Sequence, residues 1–302
     1  MFINCLINVL VTLAATALVL LSAGCGDTGP HGPLESEVRR SIVIDDLGRQ
    51  VLIKRPLVRV ISLAPSVTES VFAAGAGDRL VGVTTYCNFP AAAGSIEKIG
   101  DTQTPSIERI IALKPDIVLV STASQLESFM QTLEQQSIAV YVTDPKGIGG
   151  VIENVRILGK LFGTDEQANK EAAGMEKRAA LVDERINAGE RPKVFVQISR
   201  EPLFTIGKDS FLTEIVERAG GDAVTKGVPT AFPKLSKETA LAMDPEVILL
   251  SDSEDNREPN EVFRSSKAVR NGRVYRINAD IISRPGPRLV DALEQIAGFL
   301  HK

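Results

Sequence analysis

Histidine, cysteine and surplus charge are all scarce in this chain, and each shortage removes a class of function. The only histidines are His31 and His301, so no histidine-based zinc or manganese site can be assembled, and the usual base of a nucleophilic triad is missing. Of three cysteines, Cys5 and Cys25 lie in the first 25 residues, which leaves Cys87 alone in the rest and allows no disulfide within it. With 34 basic against 38 acidic residues, the net charge is −4. No positive excess is available to hold a phosphate backbone, which excludes nucleic acid as a partner. Neither G-x-S-x-G nor H-E-x-x-H occurs. The cluster Gly75, Gly77 and Gly82 follows a predicted helix instead of opening one, so its amides would not converge on a phosphate. The expectation is a chain that performs no chemistry and carries no cofactor or metal of its own.

What is present first is an apolar run. Val9 to Leu21 is interrupted only by two threonines, and it is shorter than the roughly 20 residues that cross a bilayer, so a secretion signal is favoured. It leads into Leu21-Ser22-Ala23-Gly24-Cys25, which resembles a lipobox. Residues 1–24 therefore read as a lipoprotein signal peptide and Cys25 as the thiol that takes the lipid, although Met1 to Asn8 contains no Lys or Arg. Gly26-Asp27-Thr28-Gly29-Pro30-His31-Gly32-Pro33 lacks the apolar surface to fold, and residues 25–40 read as a flexible tether. The expected location is outside the cytoplasmic membrane, anchored in the cell envelope by that lipid.

Beyond the tether, strand-like and helix-like runs alternate, which predicts α/β architecture with mostly parallel sheets. Arg59-Val60-Ile61-Ser62-Leu63, with Val58 before it, reads as a buried strand, after which Ser66 with Glu69 reads as a capping box for a helix that stops at Gly75. That helix has an internal echo: Thr68-Glu69-Ser70-Val71-Phe72-Ala73-Ala74-Gly75 is matched by Thr213-Glu214-Ile215-Val216-Glu217-Arg218-Ala219-Gly220. A second echo pairs Ser106 to Asp116 with Ser236 to Glu246, in each case a proline-ended helix feeding an apolar strand. Leu80 to Pro90 reads as a strand running into an aromatic loop. Thr164 and Gln167 read as the cap of a helix continuing to about Ala188, with Ala172, Met175, Ala179, Val182 and Ile186 on one stripe. The expectation is two lobes with separate cores, at residues 41–147 and 191–302, joined by a helical connector at residues 148–190.

Arg59 through Asp78, the Tyr86-Cys87-Asn88-Phe89-Pro90 loop, Ser106 through Val120, Asn271 to Tyr275 and Ser283-Arg284-Pro285-Gly286-Pro287-Arg288 resemble the cobalamin and iron-siderophore periplasmic binding proteins. The resemblance covers nearly all of residues 41–302. It implies two Rossmann-like lobes joined by a single long backbone helix, a ligand cleft between the lobes, and a monomer that delivers a small-molecule chelate to an ABC permease dimer with its ATPase. Glu108 and Glu238 match the glutamates, one per lobe, that dock on arginines of the permease. Pro65, Ser66, Tyr86, Phe89, Phe204, Phe232, Asp280 and Arg284 match positions that line or close the cleft. The chain has no tryptophan, although corrinoid binders often place tryptophans around the ring, and Thr102 and Ser121 stand at two of the matching positions. A corrinoid is the leading ligand. A ferric siderophore or haem is the alternative within the class, with Tyr86 as a phenolate ligand to iron and Arg284 paired with a ligand carboxylate. A lipid-anchored sensor or a corrinoid-modifying enzyme is the alternative from another class. Cys87 reads as a small packed thiol.

Overall fold

Alternating apolar and polar residues make the first elements a hairpin, in which β1 (Arg39–Ile44) pairs antiparallel with β2 (Gln50–Arg55) in a sheet of its own. A computed structural model of the protein describes residues 39–122, 127–186 and 191–301. The expected signal peptide, Cys25 with most of the expected tether, and the expected end of the connector near Ala188 lie outside the described residues.

The first lobe then runs β3 (Val60–Ser62), α1 (Pro65–Ala73), β4 (Leu80–Val83), α2 (Ile107–Ala112), β5 (Ile117–Ser121), α3 (Glu127–Gln135) and β6 (Ala139–Thr143). Its four strands pair in parallel in the order β4-β3-β5-β6. Strand β5 is buried along its whole length, as expected where both faces of a parallel sheet are covered. Two helices follow, α4 (Gly147–Phe162) and α5 (Asp165–Arg185), turned back on each other at Gly163. The second lobe runs β7 (Lys193–Ser199), β8 (Phe204–Thr205), α6 (Phe211–Arg218), β9 (Asp222–Ala223), α7 (Lys237–Met243), β10 (Val247–Asp252), α8 (Lys267–Arg270), β11 (Val274–Asn278), α9 (Ala279–Ile282) and α10 (Leu289–Leu300). Here β9, β7, β10 and β11 are parallel neighbours and β8 adds an antiparallel edge. The mixed α/β, two-lobe expectation holds.

Three expectations are corrected. The link is a pair of helices and not one rod: α4 packs on both α1 and α6, while α5 packs on α10. The cores are not separate either. Val60, Ile117 and Leu119 from the first sheet share one cluster with Val194, Val247 and Leu249 from the second, bridged by Val151, Val155 and Leu158 of α4 and Ala172 and Met175 of α5. Only the far face of each sheet keeps its own cluster, around Ile61, Val118 and Val120 in one lobe and Phe195, Ile248 and Leu250 in the other. The physical reason is that α4 and α5 are too apolar on one side to serve as a solvated rod. Finally, two expected caps do not form. Ala64 precedes α1 with no side-chain cap and Pro65 occupies its first turn, where a missing N–H costs nothing. Thr164 likewise does not cap α5, because its hydroxyl donates to the Ala74 carbonyl at 2.6 Å.

The two echoes fold alike down to their hydrogen bonds. At the end of α1, Gly75 N–H donates to Phe72 at 3.0 Å and Ala76 N–H to Val71 at 3.0 Å; at the end of α6, Gly220 donates to Glu217 at 3.1 Å and Gly221 to Val216 at 2.9 Å. Both glycines are left-handed, with φ of +79° and +84°. Ser106 and Ser236 cap α2 and α7 by accepting from Arg109 and Thr239 N–H. Past each helix, Asp116 accepts from the N–H of Arg59 at 2.8 Å and Glu246 from that of Lys193 at 3.0 Å, each tying its strand to the start of the central one.

In Gly75→Ala the new methyl must sit in left-handed backbone and 2.8 Å from Gln167 Cγ, so stability is expected to fall by about 1–2 kcal/mol. Scanning calorimetry at pH 7 checks this, and an unchanged Tm would show that the turn is relaxed elsewhere.

Candidate functional site

In open parallel sheets the carboxyl ends of the strands are where ligands are held. The expected ligand residues lie at such an end or in the segment that follows it. Pro65 and Ser66 follow β3, Tyr86, Phe89 and Thr102 follow β4, and Ser121 closes β5. Phe204 and Phe232 stand in the segments after β7 and β9, and Asp280 and Arg284 follow β11. The two carboxyl edges meet, because groups beyond β3 and β4 bond directly to groups beyond β11.

That meeting is made by charge. Arg288 donates to both oxygens of Glu69, from Nε at 2.9 Å and from a terminal nitrogen at 2.6 Å, the forked geometry that suits guanidinium to carboxylate. Arg284 reaches Glu69 at 3.2 Å, Asn88 Oδ1 at 2.8 Å and the Tyr86 carbonyl at 3.2 Å, and pairs with Asp280. Asn88 returns a bond to Asp280 at 2.7 Å. The side chain of Glu69 is 2% exposed, that of Arg284 11% and that of Arg288 14%, so water contributes little to any of them. Burial penalises the charge on Arg288, but the hydrogen bonds and attraction of Glu69, aided by Asp280 and Asp291, outweigh it and hold its pKa above the ordinary value. Two carboxylates balance two guanidiniums. Gly286 completes the seam, where a side chain would lie 3.3 Å from Ser66 Cα.

The loop between β4 and α2 is pinned from beneath. Cys87 is buried, and its sulfur lies 3.1 Å from the hydroxyls of both Thr68 and Thr84. Lys98 donates to the carbonyls of Cys87 at 2.8 Å and Ala93 at 2.9 Å. With Cys87 turned inward, Tyr86 and Phe89 face outward, 58% and 44% exposed. The Arg288 guanidinium lies 4.4 Å from the centre of the Phe89 ring and covers one face of it. On the other lobe Phe232 is 43% exposed and meets Phe211 edge to face at 6.5 Å. Its segment is held by Gly207 N–H to Ala231 at 2.9 Å and Thr205 N–H to Pro233 at 3.1 Å. Phe204, expected in a loop, is half-buried in strand β8.

The structure thus brings together Ser66, Tyr86, Phe89, Asp280 and Arg284, and sets Pro65 beside them at the start of α1. Thr102 lies in a turn closed by the Asp101 carboxylate, which accepts from Thr104 N–H at 2.6 Å and Gln103 N–H at 2.7 Å; the Thr104 bond first, then Gln103, holds it below the usual carboxylate range. Ser121 is buried at the end of β5. The donors of Arg284 are shared among Glu69, Asp280, Asn88 and the Tyr86 carbonyl. Sequence reasoning missed Glu69, Asn88 and Arg288. An acidic side chain in the otherwise small and apolar run Ser66 to Ala73 was the available signal. Among the described residues no group of three or more His, Cys, Asp or Glu side chains could hold a metal ion, and no helix is long and apolar enough to cross a membrane.

Glu108 and Glu238 occupy equivalent places in the first turns of α2 and α7, both exposed. Each carboxylate is held below its ordinary pKa, first by its own backbone N–H and then by the capping serine, Ser106 or Ser236.

Residues 60–281 match the family model described as periplasmic binding protein. The chain is 30% identical over 302 residues, 94% of both proteins, to an uncharacterised ABC transporter substrate-binding lipoprotein of Bacillus subtilis. It is similar to the crystal structure of the periplasmic vitamin B12 binding protein of Vibrio cholerae, with a TM-score of 0.73 and 30% identity, covering 81% of this chain and 97% of that one. A periplasmic heme binding protein from Pseudomonas aeruginosa superposes with the same TM-score of 0.73 at 22% identity, covering 81% and 93%, a likeness of fold alone.

Glu69→Gln leaves two buried guanidiniums without their shared anion and is expected to cost about 3–5 kcal/mol. Adding Arg288→Met should recover part of that loss, because one uncompensated charge is removed with its partner. Urea unfolding of the three proteins measures both; a double variant no more stable than Glu69→Gln would mean the two side chains are not energetically coupled.

Proposed function

The chain belongs to the periplasmic binding protein family, and on that premise we propose that it is the substrate-binding lipoprotein of an ABC importer, capturing a corrinoid of the cobalamin type and delivering it to the permease and its ATPase. The observation that carries this reading is the set of exposed rings, Tyr86, Phe89 and Phe232, at the carboxyl edges of two sheets that face one another. Folded chains leave such rings in water at a cost unless a flat apolar surface covers them. The likeness to a vitamin B12 binding protein, at 30% identity, favours a corrinoid as that surface. The charge balance of the seam agrees, because a propionate or siderophore carboxylate would find Arg284 and Arg288 already engaged.

On this reading Tyr86, Phe89 and Phe232 supply stacking area in place of the missing tryptophans, Phe204, Pro65, Thr102 and Ser121 complete the walls, and Ser66, Asp280 and Arg284 fix the rim. The protein binds its ligand without changing it. The exported location follows from the family, and the lipid on Cys25 is the anchor that keeps the receptor beside its permease. Glu108 and Glu238 are the docking charges. Their equivalent positions in two echoed lobes support this, since a symmetric permease dimer presents the same cation to each lobe.

Isothermal titration with cobalamin, cobinamide, haem and a ferric siderophore tests the ligand: cobalamin and cobinamide should bind, with Tyr86→Ala and Phe232→Ala each weakening binding about tenfold. Haem binding with a Soret band that Tyr86→Phe removes, and no cobalamin binding, would replace the corrinoid.

Glu108→Ala with Glu238→Ala is expected to abolish uptake while leaving ligand affinity intact. Because both carboxylates are held below their ordinary pKa, their charge persists as pH falls and is lost only on passing through the lowered values. Association with the permease in nanodiscs should therefore be level as pH falls from 7 to the ordinary carboxylate range and weaken only below that range. Loss of ligand affinity in the double variant would show that these carboxylates serve the slot instead.

A further inference from the structure

The outward face of the N-terminal hairpin carries a pattern that the fold does not use. Side chains alternate across a strand, and the register places Arg40 opposite Lys54, Ile42 opposite Leu52 and Ile44 opposite Gln50 on that face, while Val51 and Ile53 are buried beneath. Ile42, Ile44 and Leu52 are 62%, 56% and 55% exposed, which makes a continuous aliphatic strip. Two cations face each other at one end of it, an arrangement that repels across an antiparallel pair. Among the described residues neither Arg40 nor Lys54 has an ion-pair partner, and the third cation nearby, Arg49, is paired with Asp45 and Glu134. A groove of about 600 Å³ runs alongside, lined by Arg40, Arg49, Leu52 and Lys54, with Glu134 its one carboxylate.

Both costs, bare aliphatics in water and opposed cations, are relieved by one kind of surface: an apolar layer beneath a sheet of negative charge. The position of the hairpin in the chain points the same way. Only thirteen residues, Gly26 to Val38, separate Cys25 from Arg39, a span under about 50 Å even when fully extended. A second copy of the chain is a poorer occupant, because a twofold contact through this face would bring the same cations together.

We infer that the outward face of β1–β2 docks on an anionic phospholipid surface, with Ile42, Ile44 and Leu52 at the boundary between headgroups and acyl chains and Arg40 and Lys54 on the phosphates. It rests on the proposed anchoring through Cys25, and adds to it a second, electrostatic contact that orients the receptor.

The test uses the full chain carrying Ile42→Cys, labelled there with an environment-sensitive dye and mixed with vesicles of phosphatidylcholine alone or with an equal part of phosphatidylglycerol. Intact mass and flotation report lipidation and tethering separately from the label. Expected is a label shielded from aqueous iodide and quenched by brominated acyl chains on the anionic vesicles only. Arg40→Glu with Lys54→Glu should reduce that shielded fraction about tenfold or more, as two cations near an anionic surface predict, and about 1 M salt should abolish it. A floating chain whose label stays open to iodide on both vesicles overturns the inference and leaves the anchor standing. Shielding that follows protein concentration instead of lipid charge also overturns it, in favour of a second copy. If the chain proves unlipidated the anchor is lost, and the same chain with Cys5→Ser and Cys25→Ser, labelled through Ile42→Cys alone, still decides: shielding by anionic vesicles supports the face, and none rejects it.

Discussion

One nearly dry carboxylate holds the two halves of this molecule in register. Glu69 is tolerable in its buried place only because Arg284 and Arg288 surround it with charge-assisted hydrogen bonds; an isolated ion there would cost far more than any packing around it returns. The pairing is directional as well as attractive. A forked contact at 2.9 and 2.6 Å sets both the distance and the angle between α1 and the segment after β11. Asn88 and Asp280 then extend the same network to the aromatic loop. The carboxyl edges of the two sheets take their relative position from this seam, and the shared core beneath α4 and α5 supports it from the other side.

The scaffold is nearly symmetric and the slot is not. Thr68-Glu69 in α1 and Thr213-Glu214 in α6 occupy the same place in helices with the same glycine ending. Yet Glu69 is buried between lobes, while Glu214 stays at the surface within 3.7 Å of Arg218. Symmetry is kept where the proposed permease contact needs it, at Glu108 and Glu238. It is lost where an asymmetric ligand would sit, with a pinned aromatic loop on one side and the β8 edge with Phe232 on the other.

These features fit one receptor with three kinds of contact. Exposed rings without tryptophan suit a broad apolar ligand held by area and not by net charge. Two anionic helix starts suit a cationic, twofold partner. The cationic, aliphatic hairpin suits the proposed phospholipid surface. Each proposed contact uses its own side chains, so none competes with another for the same groups.

Much of this was legible in the residues themselves. Strand and helix alternation, both echoes, the serine caps at Ser106 and Ser236 and the glycine endings at Gly75 and Gly220 follow from groups a few positions apart, whose hydrogen bonds are decided locally. The buried thiol of Cys87 and the apolar stripe of α5 were also readable, from the company each keeps in the chain. The role of Glu69 was not. Its spacing from Ser66 is that of a capping box, but Pro65 already opened the helix and left that carboxylate to partners 215 and 219 residues away. The merged core and the doubled connector were hidden for a similar reason, since an apolar stripe states that a helix is covered without stating by what. The sequence determined the elements, their order and their twofold likeness, because short-range hydrogen bonding and periodicity suffice for these. Which charges lost their water and had to find each other where the two lobes meet was set by packing between residues far apart in the chain, which no short-range pattern records.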